Sequence, residues 1–99
     1  MPRSADYQDY LLRALRMPRE AAAYLNAALA DEDPRVFLLA LRNVVQAHGG
    51  MGKLAARSAL NRESMYRMLS RKGNPSLKTL GTLLASLGFR LAVAKKKAA

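Results

Sequence analysis

The sequence contains no cysteine, which excludes a disulfide framework and any thiolate chemistry. Its single histidine, His48, stands at the expected end of a helix beside two glycines, and no carboxylates are paired at a spacing suited to acid–base work. An enzyme is therefore not expected, and the imidazole reads as a helix cap or a solvent-facing ring. One histidine with scattered acids supplies no metal ligand set. The GGMG stretch lacks the lysine and Ser/Thr spacing of a nucleotide-binding loop, so no cofactor and no small-molecule substrate are expected. No apolar run approaches the roughly 20 residues needed to cross a bilayer. Nor does a basic leader with an apolar segment and a small-residue cleavage site open the chain. The expectation is a cytoplasmic protein with no membrane partner.

What the chain has is a cationic second half. From Met1 to His48, six arginines and no lysine are set against six acids, Asp6, Asp9, Glu20, Asp31, Glu32 and Asp33, so this half is neutral. From Gly49 onward, eleven Lys and Arg residues are set against Glu63 alone, and the whole formal charge of +10 lies there. Such segregation suits a polyanion, because each cation placed against a phosphate releases a condensed counterion. Nucleic acid is the first reading, an anionic membrane surface the rival, and a merely solvated basic face the plain alternative.

At 99 residues there is room for one core. No internal repeat or Gly/Ser-rich linker divides the chain. Residues 1–17 are set apart as an N-terminal arm, within which Asp6 to Leu12 reads either as extended or as the first turn of a helix. The helical domain spans 18–94, and residues 95–99 form a basic, disordered tail. Pro18 and Glu20 open a helix that runs to about Ala30, with Ala21, Leu25, Ala28 and Leu29 on its apolar face. Asp33 and Pro34 repeat the start signal, and Phe37, Leu41, Val44 and Val45 carry the period to about His48, where Gly49 and Gly50 stop it. Leu54 and Ala55 mark a third helix, and Asn61 caps a fourth. Gly73, Asn74 and Pro75 make a turn before Ser76 caps a fifth, whose stripe is Leu77, Leu80, Leu84 and Leu87, and Gly88 ends it. Phe89, Leu91 and Val93 then alternate with Arg90 and Ala92, which predicts a short strand. The fold expected is all-α: five helices with a short C-terminal strand.

Two short helices that meet at a sharp angle need small residues where they touch, a turn, and apolar residues where the second packs back. The stretch 51–69, MGKLAARSALNRESMYRML, meets this requirement as a helix-turn-helix. Leu54 and Ala55 allow close contact, Ala59 and Leu60 turn the chain, and Met65, Met68 and Leu69 pack the second helix. Asn61, Arg62, Glu63, Tyr66 and Arg67 are then directed outward. They are candidates for reading base edges: arginine donates two hydrogen bonds to guanine, Glu63 accepts from cytosine, and Tyr66 stacks on a sugar or a thymine methyl. Lys53, Arg57, Ser70, Arg71, Lys72, Asn74 and Lys78 surround them as candidate phosphate contacts.

From about Tyr24 to Leu91 the chain resembles the HigA-like addiction-module antidote proteins, antitoxins with a lambda-repressor-like helix-turn-helix of the Xre type. The resemblance rests on YLNAAL, DPRVFLLALRNV, the helix-turn-helix stretch, NRESMYRMLS and GNPSLKTLGTLLASLGFRL. It implies five helices, a homodimer on a palindromic operator in double-stranded DNA, and neutralisation of a RelE-like ribonuclease toxin encoded beside it. The family's recognition helix falls on Asn61 to Ser70, and its capping and turn positions on Asn61, Gly73, Asn74 and Pro75. Two positions depart from the pattern: Ala59 stands where glycine is usual and Ser58 where an apolar residue is usual. The opening segment, with Tyr7, Tyr10, Leu11 and Leu12, is only loosely similar to the family's tyrosine-containing N-terminus.

The resemblance makes Asp6, Tyr7, Asp9 and Tyr10 the candidate toxin contacts, since acids would steer a basic RNA-handling partner. The cluster Asp31, Glu32 and Asp33 is a second acidic candidate. For the dimer, the free edge of the strand carrying Phe89, Leu91 and Val93 is the expected interface, with packing of the fifth helix as its rival. Two main functional classes remain. One is an antitoxin that represses its own operon, favoured by the long segment ahead of the helix-turn-helix; the other is a stand-alone regulator, for example of phage type. A protein-interaction module with an incidental basic face is the third.

Overall fold

The structure, a computed structural model, describes residues 4–97. Proline opens two of its helices: Pro18 begins α2 (Pro18–Leu29) and Pro34 begins α3 (Pro34–Ala47), each at a position whose N–H would have no helical partner. At α3 the Asp33 carboxylate accepts the Arg35 backbone N–H at 2.9 Å. The other helices are α1 (Ser4–Ala14), α4 (Met51–Arg57), α5 (Arg62–Met68) and α6 (Leu77–Ser86). Gly49 and Gly88, at φ +109° and +89°, lie just past α3 and α6. There the Gly50 N–H donates to Val45 and the Phe89 N–H to Leu84, closing both helix ends in the left-handed manner glycine permits.

The core is built around α3, which buries Phe37, Leu38, Leu41, Val44 and Val45. Against it pack α2 through Ala21, Leu25 and Ala28, and α1 through Leu11 and Leu12, with Leu15 buried just past its end. Asn43 links these three helices: its amide donates to the Tyr24 hydroxyl at 2.9 Å and its carbonyl accepts from Gln8 at 3.4 Å. His48 Nε2 lies 3.2 Å from the Leu15 carbonyl, an acceptor, so the ring carries its proton on Nε2 when this bond is made. The histidine thus ties the end of α3 to the end of α1.

Several expectations are corrected here. There are six helices among the described residues, not five, because most of the segment set aside as an arm is α1. It is helical because Leu11, Leu12 and Leu15 share a face that α3 can cover. No strand occurs among the described residues: Phe89 to Val93 meets no ladder partner within the chain. Leu29 and Leu77, assigned to apolar stripes, are 55% and 76% exposed. On α6 the buried arc is rotated toward Leu83, Leu84 and Leu87, leaving Leu77 in the first turn beyond the core. The first three residues of the expected arm and the last two of the tail lie outside the described residues; Lys95 to Lys97 are exposed and belong to no helix.

Candidate nucleic-acid interface

The connection between α4 and α5 forms the site. Ser58 leaves α4 extended, and its hydroxyl accepts the Leu60 N–H at 3.3 Å, so the serine in the usually apolar position closes the turn. Leu60 packs against the core while Ala59 is exposed. Among the described residues no non-glycine residue has positive φ, so the turn is made without the left-handed conformation that a glycine at position 59 would serve. Asn61 then caps α5, its side-chain oxygen accepting the Ser64 N–H at 2.7 Å.

With only seven residues, α5 would not hold together alone. It is anchored by Met65, which is fully buried, and by Met68, while Leu69 just beyond is also buried. That anchoring turns Asn61, Arg62, Glu63, Tyr66 and Arg67 to solvent on one short helix and its cap. Two pairs one turn apart order this surface. The Arg62 guanidinium lies 5.6 Å from the Tyr66 ring centroid, with Nη2 3.5 Å from its hydroxyl, a weak cation–π pairing. Arg67 meets Glu63 at 3.5 Å. Both members of the second pair are well exposed, so it contributes little to stability and yields readily to a stronger anion.

The candidate phosphate contacts divide. Lys53, Arg57, Arg71, Lys72, Asn74 and Lys78 are exposed, whereas the Ser70 hydroxyl donates to the Arg67 carbonyl at 2.8 Å and finishes α5. Gly73 comes so close to the Met68 carbonyl that a Cβ there would overlap it, which explains a glycine in the turn after α5. Arg42 was not among the predicted site residues. It is exposed on α3, lies by Leu69 to Arg71 on one side and by Gln46, Met51 and Tyr66 on the other, and makes no ion pair among the described residues. The signal available was its place with Leu39 and Gln46 on one outer ridge of α3.

Arg35, by contrast, is engaged. Its side-chain hydrogen bond to Asp33 holds that carboxyl below its ordinary range and raises the arginine above its own. The depressed carboxyl favours the folded form above the usual carboxylate pKa, and this contribution fades as pH falls through the lowered value. Asp6, Tyr7, Asp9 and Tyr10 are all exposed on α1. Among the described residues no cluster of histidine and acids stands ready to hold a metal, and no helix is long and apolar enough to cross a membrane.

The family described as "probable addiction module antidote protein" matches residues 5–95, nearly the whole chain. The chain belongs to the addiction-module antidote family. An uncharacterized protein of Haemophilus influenzae is 28% identical to this antidote over 83 residues, covering 84% of each chain. No solved structure matches it. Membership carries the antitoxin role in general terms, with a toxin as the class of partner. The match takes in the residues of α1 apart from the first, so it extends over the N-terminal segment as well as the helix-rich remainder.

Proposed function

We propose that this antidote is the antitoxin of a type II toxin–antitoxin pair, of the HigA-like kind with an Xre-type helix-turn-helix. In this reading it neutralises a RelE-like ribonuclease toxin in the cytoplasm and, as a homodimer, represses its own operon by binding a palindromic operator. The helix-turn-helix is formed by α4 and α5, with α5 as the recognition helix. The observation that carries the reading is the split character of α5: Met65 and Met68 are buried, while Arg62, Tyr66 and Arg67 stand in solvent. A helix held rigidly from beneath, with donors and an aromatic ring on its outer face, fits the major groove.

Within this reading Asn61, Arg62, Glu63, Tyr66 and Arg67 face the bases. Asn61 has its oxygen engaged in the cap, which leaves its amide group to donate. Lys53, Arg57, Arg71, Lys72, Asn74 and Lys78 set register on phosphates, and Ser70 serves chiefly to end α5. The α1 face with Asp6, Tyr7, Asp9 and Tyr10 contacts the toxin, and Phe89, Leu91 and Val93 take part in the dimer. Family membership favours this reading over a stand-alone regulator.

The test is fluorescence anisotropy with the DNA upstream of the gene against random duplex. Each bidentate arginine–guanine contact discriminates by roughly 1–3 kcal/mol. The Arg62→Ala/Arg67→Ala double variant is therefore expected to lose most of its preference for the operator while keeping its helical circular dichroism. Preference equal to that of the unaltered protein would mean that α5 is not the reading element.

A further inference from the structure

The exposed apolar residues lie in more than one place, and one group has a shape and a charge that match another part of the same chain. Between α2, the start of α3 and the start of α6 is an open depression of about 300 Å³. Its floor is Leu29, Phe37, Leu38, Pro75 and Leu80, and its rim carries Asp31 and Glu32 together with Arg35, whose charge is already matched by Asp33. Leu29 is 55% exposed, a large apolar side chain with no cover. Leu77, one turn before Leu80 on α6, is more exposed still.

The segment after α6 has the opposite character. Phe89 to Ala92 lies along a neighbouring depression that shares Leu29 and Phe37 with the first, so the two form one continuous apolar track. The chain does not follow that track to its end. Val93 is fully exposed, Leu91 is 41% exposed, and Lys95, Lys96 and Lys97 follow in solvent. Within one chain, then, the acidic corner stays open and the apolar, trilysine segment stays unpaired.

We propose that the acidic corner at Leu29, Asp31 and Glu32 receives Val93 to Lys97 of a second copy, exchanged reciprocally across a twofold axis. Val93 enters beside Leu29, and the lysines meet Asp31 and Glu32. This rests on the homodimer of the proposed function and names where the C-terminal segment of each protomer docks. A twofold interface requires the same two patches on both partners, and an apolar acidic corner with an apolar basic segment on one chain satisfies it twice. The apolar contact supplies the attachment, and the exposed charges set direction and register. The other occupants, the toxin or the chain's own tail, are separated by experiment.

Sedimentation equilibrium of the full chain, at micromolar concentrations in 0.1 M and 0.5 M salt, reads the result. The unaltered protein is expected to dimerise. Leu29→Glu and Val93→Glu, both at exposed positions, should each raise the dimer dissociation constant at least tenfold with circular dichroism unchanged. Glu32→Lys should raise it about threefold or more at the lower salt. Asp31→Lys with Glu32→Lys reverses both charges of the corner, and adding Lys95→Glu, Lys96→Glu and Lys97→Glu to that pair should restore most of its loss. A dimer indifferent to Leu29→Glu and Glu32→Lys would overturn the docking while leaving the dimer intact. So would the absence of rescue by the exchanged charges, or a dimer unaffected by Leu29→Glu when that variant no longer copurifies with a coexpressed toxin. A chain monomeric at 100 micromolar would overturn both the docking and the homodimer.

Discussion

Glu63 is the one acid of the basic half, and it stands 3.5 Å from Arg67 on the exposed face of α5. In the DNA reading it restrains that arginine and repels phosphates. Glu63→Gln removes one negative charge and frees Arg67, so binding to random duplex should strengthen by about two- to fivefold, on the scale of one exposed ion pair. The gain should shrink at high salt, and an unchanged anisotropy titration would argue that Glu63 lies away from the DNA. A second residue-scale constraint concerns the turn that follows. Gly73→Ala would press a methyl group into the Met68 carbonyl, where backbone rather than a movable side chain must give way. A loss of about 2 kcal/mol is expected, the ordinary cost of overpacking. Urea denaturation measures it, and a midpoint equal to the parent's would show that the turn yields freely.

At the scale of the element, α5 depends on what lies beneath it. Its sequence supplies a cap, Asn61, and a seven-residue helix too short to persist by itself. Docking through Met65, fully buried, makes the helix permanent. Met65→Ala should therefore cost about 3 kcal/mol, in the range of a buried methionine truncated to alanine, and thermal unfolding monitored at 222 nm reads the shift. Operator affinity should fall along with it, because the outward residues lose their fixed frame. Helix α1 shows the same dependence from the other side. Residues 6–12 are ambiguous by local pattern, and they become helical because Leu11, Leu12 and Leu15 find a surface on α3. The alternation of Phe89, Leu91 and Val93 is a strand pattern with no strand: alternation marks two faces, but a strand also requires a neighbour to pair with. On α6 the leucine-rich sequence admits two adjacent arcs, and contact with the core selected Leu83 over Leu77.

At the scale of the whole molecule, the charge is arranged by segment and then by surface. Lys53, Arg57, Arg71, Lys72 and Lys78 are all exposed on or around the α4–α5 unit, and Arg42 of α3 is exposed beside it. If about five of these cations meet phosphates, the slope of log affinity against log salt should lie near −4 to −5 per protomer. A titration between 0.05 and 0.3 M salt checks this, and a slope close to zero would remove nucleic acid as the partner of this face. The amino-acid order by itself determined where helices start and stop, through Pro18, Asp33, Pro34, Asn61, Ser76 and the glycines at 49 and 88, because caps act within a few residues. It also determined that the cationic charge lies after His48, since that is a matter of composition alone. Only the tertiary structure decided that α1 is a helix, that Leu29 and Leu77 are left bare, and that Arg42 borders α5. Each of these depends on which surface an element meets, and contacts between residues far apart in the chain are not encoded in any local window.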